Sequence, residues 1–428
     1  MKPFVIAAVL LIVCKTSAAP PLLTRSEALR IALQNDFGIL IAKNEAQRVR
    51  LENSPGNAGM LPSASIKGTE NHTVTEPPFG SGSPASQERR ANAFSATAKL
   101  DWTLFDGGMM FVTRKKLREI GELGAIAYKE KVMQTSFDVI AAYYNIVRQK
   151  QQLVFIDETI RYDRERVTIA QAGFDAGLVQ KTILLQAMVD LNVNRQKRIE
   201  QLNVIAAARR ELNQLMCRDL STPFEVEDSI ALDGPVDRDF ILGKIEDENT
   251  SIRTLEKQLQ IAALTIRENR SLLMPEFSVS MGYTFSSNLY SSGSTADNSA
   301  FGPQLGAALS IPLFQGGNAL RRLETSRLQL ESAAWNLEET KLRVRADLEN
   351  LFDDFECQRT LLEIERENIG LAKDNLDICM QRLRLGESTS LELRQAEESY
   401  ENSRTRLLAI EYNLMIVQTR LKLLASQL

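Results

Sequence analysis

A single histidine, His72, is present among 428 residues. That scarcity argues against His-based metal sites, Ser-His-Asp triads and Cys-His nucleophiles. The four cysteines, Cys14, Cys217, Cys357 and Cys379, stand singly with no C-x-x-C pair, so neither a disulfide framework nor a zinc site follows from their spacing. Charge of either sign is nearly balanced at a net −4, which leaves no electrostatic footprint for nucleic acid. Beyond the amino terminus no segment reaches about eighteen uncharged apolar residues, so no membrane-spanning helix is expected. What is present is ordinary for a folded chain, with 44% apolar and 25% charged residues. These absences point away from an enzyme and from any cofactor or metal, and towards architecture.

The amino terminus reads as an export signal. Lys2 supplies a positive start and Phe4 to Val13 is an unbroken apolar run of ten residues, about half of a bilayer span. Thr16 and Ala18 are small residues at a plausible cleavage site. A lipoprotein reading would use Leu11-Ile12-Val13-Cys14, with bulky Val13 where a small residue is wanted. A secreted chain without a spanning helix is periplasmic, extracellular or an outer-membrane β-barrel.

The rest of the chain repeats one plan. Leu104-Phe105-Asp106-Gly107-Gly108 recurs as Leu313-Phe314-Gln315-Gly316-Gly317, a shift of 209 positions. The same shift carries Gly177 to Gly386 and Gln186-Ala187 to Gln395-Ala396. Upstream, Leu61-Pro62 matches Met274-Pro275 with a slightly different shift, so gaps fall in the loops. This divides the chain into a signal peptide (1–19), a first structural repeat (20–217), a linker or equatorial segment rich in Pro, Asp and Ser (218–238), and a second repeat (239–428).

Each copy has the order helix, strand, loop, strand, long helix, tight turn, helix. In 94–104 every even position is apolar and every odd one polar; in 277–286 the odd positions are apolar. Leu305, Ala307, Leu309, Ile311 and Leu313 continue the alternation, and 61–69 is the weakest strand. Such segments suit either a tilted membrane strand or a soluble half-buried hairpin. The long polar loops 70–92 and 287–299 favour the membrane strand. Paired glycines at Gly107-Gly108 and Gly316-Gly317 permit a sharp strand-to-helix corner. The helices expected over 109–171 and 318–385 lack proline, and each would run about 90–100 Å. Apolar residues recur every seven positions, as in Leu393, Tyr400, Leu407, Leu414 and Leu421, which predicts coiled-coil packing. Shorter helices over 26–53, 178–217, 239–272 and 387–426 would stack in pairs beside the long ones. Two copies supply four strands, fewer than the roughly eight of the smallest membrane barrels, so strands in lipid require several chains.

Taken in order, the export signal, the repeat, the Leu-Phe-x-Gly-Gly corners and the hairpin glycines followed by Gln-Ala resemble the TolC-type outer-membrane efflux protein family over nearly the whole mature chain. The resemblance implies an α+β membrane protein. Its homotrimer would form a twelve-stranded transmembrane β-barrel in outer-membrane lipid, with four strands per chain, continued by a long periplasmic α-helical coiled-coil barrel. It further implies a passive exit duct of an efflux pump or type I secretion system. Its partners would be a periplasmic adaptor (membrane fusion) protein and an inner-membrane pump or ABC transporter. A periplasmic or surface coiled-coil protein without a pore is the alternative; it leaves the strands and corners unexplained.

By the same resemblance the two helix-to-helix turns would dock the adaptor through Phe174, Asp175, Gly177 and Leu178 in one copy and Leu383, Arg384, Leu385 and Gly386 in the other. The competing reading is that the apolar members staple each hairpin to itself. Glu392 is a pore-constriction candidate whose three symmetry copies would form an acidic ring, or else an ordinary exposed helix residue. Its equivalent in the first copy is Ile183, and the next inward positions are Gln186 and Gln395. Arg384 and Arg394 are placed to pair with carboxylates there.

Overall fold

The computed structural model describes residues 21–75, 89–232, 234, 237–290 and 298–428. The expected signal peptide, with Cys14, lies outside the described residues. The elements are α1 (Arg25–Asn35), α2 (Phe37–Glu52), β1 (Ser63–Thr75), β2 (Arg89–Asp106), α3 (Met109–Asp175), α4 (Lys181–Leu215), α5 (Arg238–Glu248), α6 (Thr250–Ser271), β3 (Glu276–Tyr290), β4 (Asn298–Ser310), α7 (Asn318–Arg384) and α8 (Ser390–Leu424).

The duplication is visible in the element bounds. α7 and α8 begin and end 209 positions after α3 and α4. α5 follows α1, and β3 starts after β1, by 213. The shift changes across the strand loops, as the sequence pattern requires. Even the left-handed residues correspond: Gly107, Gly108, Gly177 and Cys217 match Gly316, Gly317, Gly386 and Ser426.

The helices expected over 26–53 and 239–272 are each broken in two. Asp36 and Asn249 leave the helical conformation, and each caps the next helix through its side chain. Asp36 Oδ1 accepts from Ile39 N at 2.8 Å, and Asn249 Oδ1 accepts from Ser251 N and Ile252 N at 3.0 and 3.1 Å. Asn249 also donates through its side chain to Leu424 O at 3.0 Å, tying the break to the end of α8.

The strands form one antiparallel sheet in the order β1-β2-β3-β4, so β2 and β3 join the two copies. Its register stacks like with like. Ile66 lies beside Ala98, Tyr283 and Pro303, and Ala64 beside Leu100, Met281 and Leu305, giving one apolar face. The other face stacks Lys67, Thr97, Thr284 and Gly302, with Thr97 and Thr284 hydroxyls 3.0 Å apart. A bulge between Thr103 and Phe105 takes Leu104 out of the alternation and sets Phe105 against Phe277. The strands are longer than expected, 13–18 residues, because pairing continues past the apolar band into polar segments such as Glu70 to Thr75.

α3 and α7 have 67 residues each, about 100 Å of helix. α4 runs back along the distal half of α3, and α8 along that of α7. The expected seam on α8 is buried at every position from Leu393 to Leu421. On α3, Ile126, Met133, Ile140 and Val147 are buried but Val154 is exposed. Midway along the helices the segment after α4 closes a belt. Leu23 N donates to Glu225 O at 2.8 Å, and the buried Tyr143 hydroxyl donates to Leu23 O at 3.0 Å. Phe224 and Val226 enter the same core as Tyr143, Tyr144 and Leu212. Among the described residues no helix is long and apolar enough to cross a membrane.

Candidate functional site

The strand-to-helix corners are built by backbone. Gly107 and Gly108 have φ of +71° and +85°, Gly316 and Gly317 +62° and +72°, where side chains are disfavoured. At Gly107 a Cβ would also meet Met274 Cβ at 2.5 Å and Ser271 O at 2.6 Å. Asp106 then caps α3, its Oδ2 accepting from Met110 N at 2.8 Å.

At the far end both hairpins close with the same Schellman turn. Gly177 N donates to Phe174 O and Leu178 N to Gly173 O, at 2.9 and 2.8 Å. Gly386 N donates to Leu383 O and Glu387 N to Arg382 O, at 3.1 and 2.9 Å. Gly177 and Gly386 both have φ of +76°. Leu178 and Leu385 are the most exposed apolar side chains of the tips, at 84% and 73%. Phe174 and Asp175 are also exposed. Leu383 differs from the expectation of an exposed knob: it is half-buried, packed on the Phe155, Leu376, Leu393 and Tyr400 cluster. Leu383 therefore fits the stapling reading. Arg384 leaves α7 to pair with Glu165 of α3 at 2.5 Å. The Tyr162 hydroxyl donates to Asp377 Oδ1 at 3.1 Å, so the hairpins are joined side to side.

The four constriction candidates fall on the first two turns of α4 and α8. Ile183, Gln186, Glu392 and Gln395 are all exposed in the single chain. Glu392 is not a free carboxylate. It belongs to a capping box: Thr389 Oγ1 accepts from Glu392 N at 3.2 Å, and Glu392 Oε2 accepts from Thr389 N at 3.4 Å. Ser388 Oγ donates to the same oxygen at 2.6 Å. The Ser388 hydroxyl, then the Thr389 N–H, hold its carboxyl below the usual range. Gln186 Nε2 donates to Asp190 Oδ1 at 2.8 Å.

Roughly three helical turns above the tip lies a buried ionic cluster that pattern reading passed over. Arg166 of α3 is 2% exposed and binds Asp163 at 2.9 Å, Asp190 of α4 at 2.9 Å and Glu397 of α8 at 3.0 Å. Asn194 donates to the other oxygen of Asp163 at 2.6 Å. One guanidinium thus faces three carboxylates. Burial pushes the Glu397 carboxyl up to about 7 and raises that of Asp163. Glu397 Oε1 and Arg166 Nε are buried without a partner among the described residues. Nearby, Lys197 pairs with Glu401 at 2.9 Å. A charged residue on a heptad helix ordinarily reads as solvated. The available signal was Asp163 and Arg166 at i, i+3, on the face that carries Ile156 and Ile160.

Among the described residues no His, Cys, Asp and Glu group is arranged to hold a metal ion. The site is therefore a pair of rigid corners, a sheet with one apolar and one polar face, and a linked pair of helical tips. Residues 30–218 and 241–427 match the model of the outer membrane efflux protein family, one match for each copy of the repeat. The chain belongs to that family. Outer membrane efflux proteins are outer-membrane export channels, and this chain is an exit duct of that kind. It is similar to the alkaline protease secretion protein AprF of Pseudomonas aeruginosa, 21% identical over 417 residues covering 93% of this chain and 83% of that one. The outer membrane protein TolC of Escherichia coli is 20% identical over 343 residues, 78% of this chain and 69% of TolC. Among solved structures, the Vibrio cholerae outer membrane protein VceC superimposes with a TM-score of 0.77 at 14% identity, covering 94% of this chain and 96% of VceC. The Campylobacter jejuni CmeC outer membrane channel gives 0.79 at 15% identity, covering 94% and 85%. Those likenesses show the same fold over 94% of the chain, strands and long helices alike. The pore-free coiled-coil alternative falls with the family assignment.

Proposed function

We propose that three copies of this chain close one twelve-stranded barrel in the outer membrane, and that their helices form a single periplasmic tunnel. Through it would pass a substrate handed over by an inner-membrane pump or ABC transporter and its periplasmic adaptor. The observation that carries this reading is the open sheet. The outer edges of β1 and β4 have no strand partner among the described residues, on a sheet with one apolar face. In lipid every backbone donor and acceptor needs a partner, so such a sheet closes only through further copies. Four strands from each of three chains make a barrel wide enough for a channel.

The helices support the same arrangement. On α7, Ile364, Leu371 and Ile378 are 51–63% exposed at seven-residue spacing. Leu328, Trp335 and Leu342 repeat this nearer the barrel, at 59–71%. These stripes face away from α8 and α6, and seven-residue apolar stripes are the seams on which helices of another copy pack.

In this reading repeats 20–217 and 239–428, joined by the equatorial segment 218–238, give each copy pseudo-two-fold symmetry. Residues 1–19 are the leader. Phe174, Asp175, Gly177, Leu178, Leu385, Gly386 and Arg384 present the tip to the adaptor, with Leu383 anchoring its hairpin. Glu392, Gln395, Ile183 and Gln186 ring the constriction. Relatives named for protease secretion and for efflux leave both a type I secretion system and a tripartite efflux pump as the setting. The duct does no chemistry of its own; its partners supply the energy.

The test is extraction from outer membranes followed by native mass spectrometry and planar-bilayer recording. The expected result is a detergent-dependent trimer with discrete conductance. A monomer that stays soluble without detergent overturns the proposal.

A further inference from the structure

The polar face of the sheet carries very few charges. Lys67 stands five residues into β1, in register with Thr97, Thr284 and Gly302. One step towards the helices on the same face, Lys99 and Asp101 of β2 form an ion pair at 2.7 Å and cancel. Glu276 marks the edge of the sheet where β3 begins. The remaining positions of this face from Ser63 to Thr73, and those registered against them, are uncharged. Lys67 is exposed and makes no ion pair among the described residues. Each chain therefore sets one uncompensated positive charge on this part of the sheet.

Resting on the trimeric-barrel reading above, we infer that Lys67 of three copies forms a cationic belt inside the barrel that binds multivalent, phosphate-type anions. Twelve strands about 4.8 Å apart and tilted about 40° give a wall radius of about 12 Å. A lysine stem reaching about 6 Å inwards brings the three ammonium groups within about one Debye length, 8 Å, of the axis at physiological salt. Their fields overlap at the axis, and a low-dielectric wall concentrates them there. Monovalent ions gain little from such a belt. An anion that meets two or three ammonium groups at once gains from each. The belt is opposite in sign to the acidic tip at Glu392, so the two ends of the duct discriminate between solutes differently.

The experiment is side-specific block of the full-length channel in planar bilayers at 0.1 M KCl, with inorganic tripolyphosphate as the probe. Added on the barrel side, it reduces the wild-type current, and 1 M KCl relieves the block. In Lys67→Gln the half-blocking concentration rises about tenfold or more while the unblocked conductance persists; Lys67→Arg keeps the block. Equal block of wild type and Lys67→Gln, or no block of a conducting wild type, overturns the belt and leaves the duct standing. A wild-type protein that neither trimerises nor conducts overturns the duct reading itself, and the belt with it.

Discussion

Protonation of Glu397 should control how tightly the two hairpins hold together near the tip. The carboxyl is pushed up to about 7 by burial, against 4.5 for an ordinary glutamate. The groups facing it are Arg166 and Asp163 from α3, Asp190 from α4 and Glu401 on its own helix, with Lys197 engaged by Glu401. Between pH 4.5 and about 7 the packed state holds a proton that the opened state releases. The packed state is therefore favoured most below the lower value, loses that advantage as pH rises to about 7, and changes little above it. Over the whole titration that difference corresponds to about 3–4 kcal/mol per copy, or roughly three-hundredfold in a local opening equilibrium. Hydrogen exchange of the α8 amides from Arg394 to Tyr400, corrected for intrinsic exchange, measures that opening directly. Protection should fall by up to about a hundredfold between pH 5 and pH 8 in the wild type, and vary less in Glu397→Gln, which keeps the shape without that titration and leaves only Asp163 of the cluster with a raised carboxyl. Parallel profiles in the two proteins would rule out Glu397 as the group that titrates. Removing the cation instead, by Arg166→Met, strands Asp163, Asp190 and Glu397 together and should cost about 3–5 kcal/mol of local stability at pH 7.

Three further outcomes follow from the corners and tips. Gly107→Ala forces a Cβ against Met274 and the Ser271 carbonyl and should lower the yield of assembled trimer on unboiled gels, whereas Gly68→Ala, with open space around it, should not. Gly386→Val demands a β-branched side chain at φ of +76°, at a cost of about 1–2 kcal/mol or more. It should abolish efflux in a sensitised strain while the barrel still inserts, and retained efflux would count against docking at the tip. Glu392→Ala removes both an acidic group and half of a capping box, so it should weaken cation preference and also destabilise the start of α8. Glu392→Gln should reproduce the selectivity change, read from reversal potentials, with less loss of stability.

Much of this architecture is legible in the sequence because it rests on periodicities. Alternation over 94–103 sets the two faces of β2, and the seven-residue series from Leu393 to Leu421 is the buried seam of α8. Paired glycines mark the corners because no other residue adopts those angles readily. The features that escaped are those in which a side chain competes with a periodic pattern. Asp36 and Asn249 interrupt helices that hydropathy alone would continue, since one side-chain oxygen can satisfy the amides of a new first turn. Thr389 and Glu392 spell a capping box in the sequence, yet Glu392 draws attention first as a charge. Arg166 looks solvated until α4 and α8 bring Asp190 and Glu397 to it from residues 24 and 231 positions away. The exposed stripe of α7 shares its period with the buried one, so periodicity alone does not separate a seam within the chain from one between chains.

A closed barrel requires the free edges of β1 and β4 to meet in neighbouring copies, and disulfide cross-linking in intact outer membranes reads that contact. Single cysteines along β1, at Ser63, Ser65 or Lys67, are combined with one at Gly302, Gln304 or Gly306 of β4, in a background with Cys217 and Cys357 replaced by serine. At the correct register, oxidation should yield bands for one, two and three chains on a denaturing gel and nothing larger, because the ring closes at three. Absence of cross-linking at every register, or a ladder continuing beyond three chains, would contradict the closed barrel.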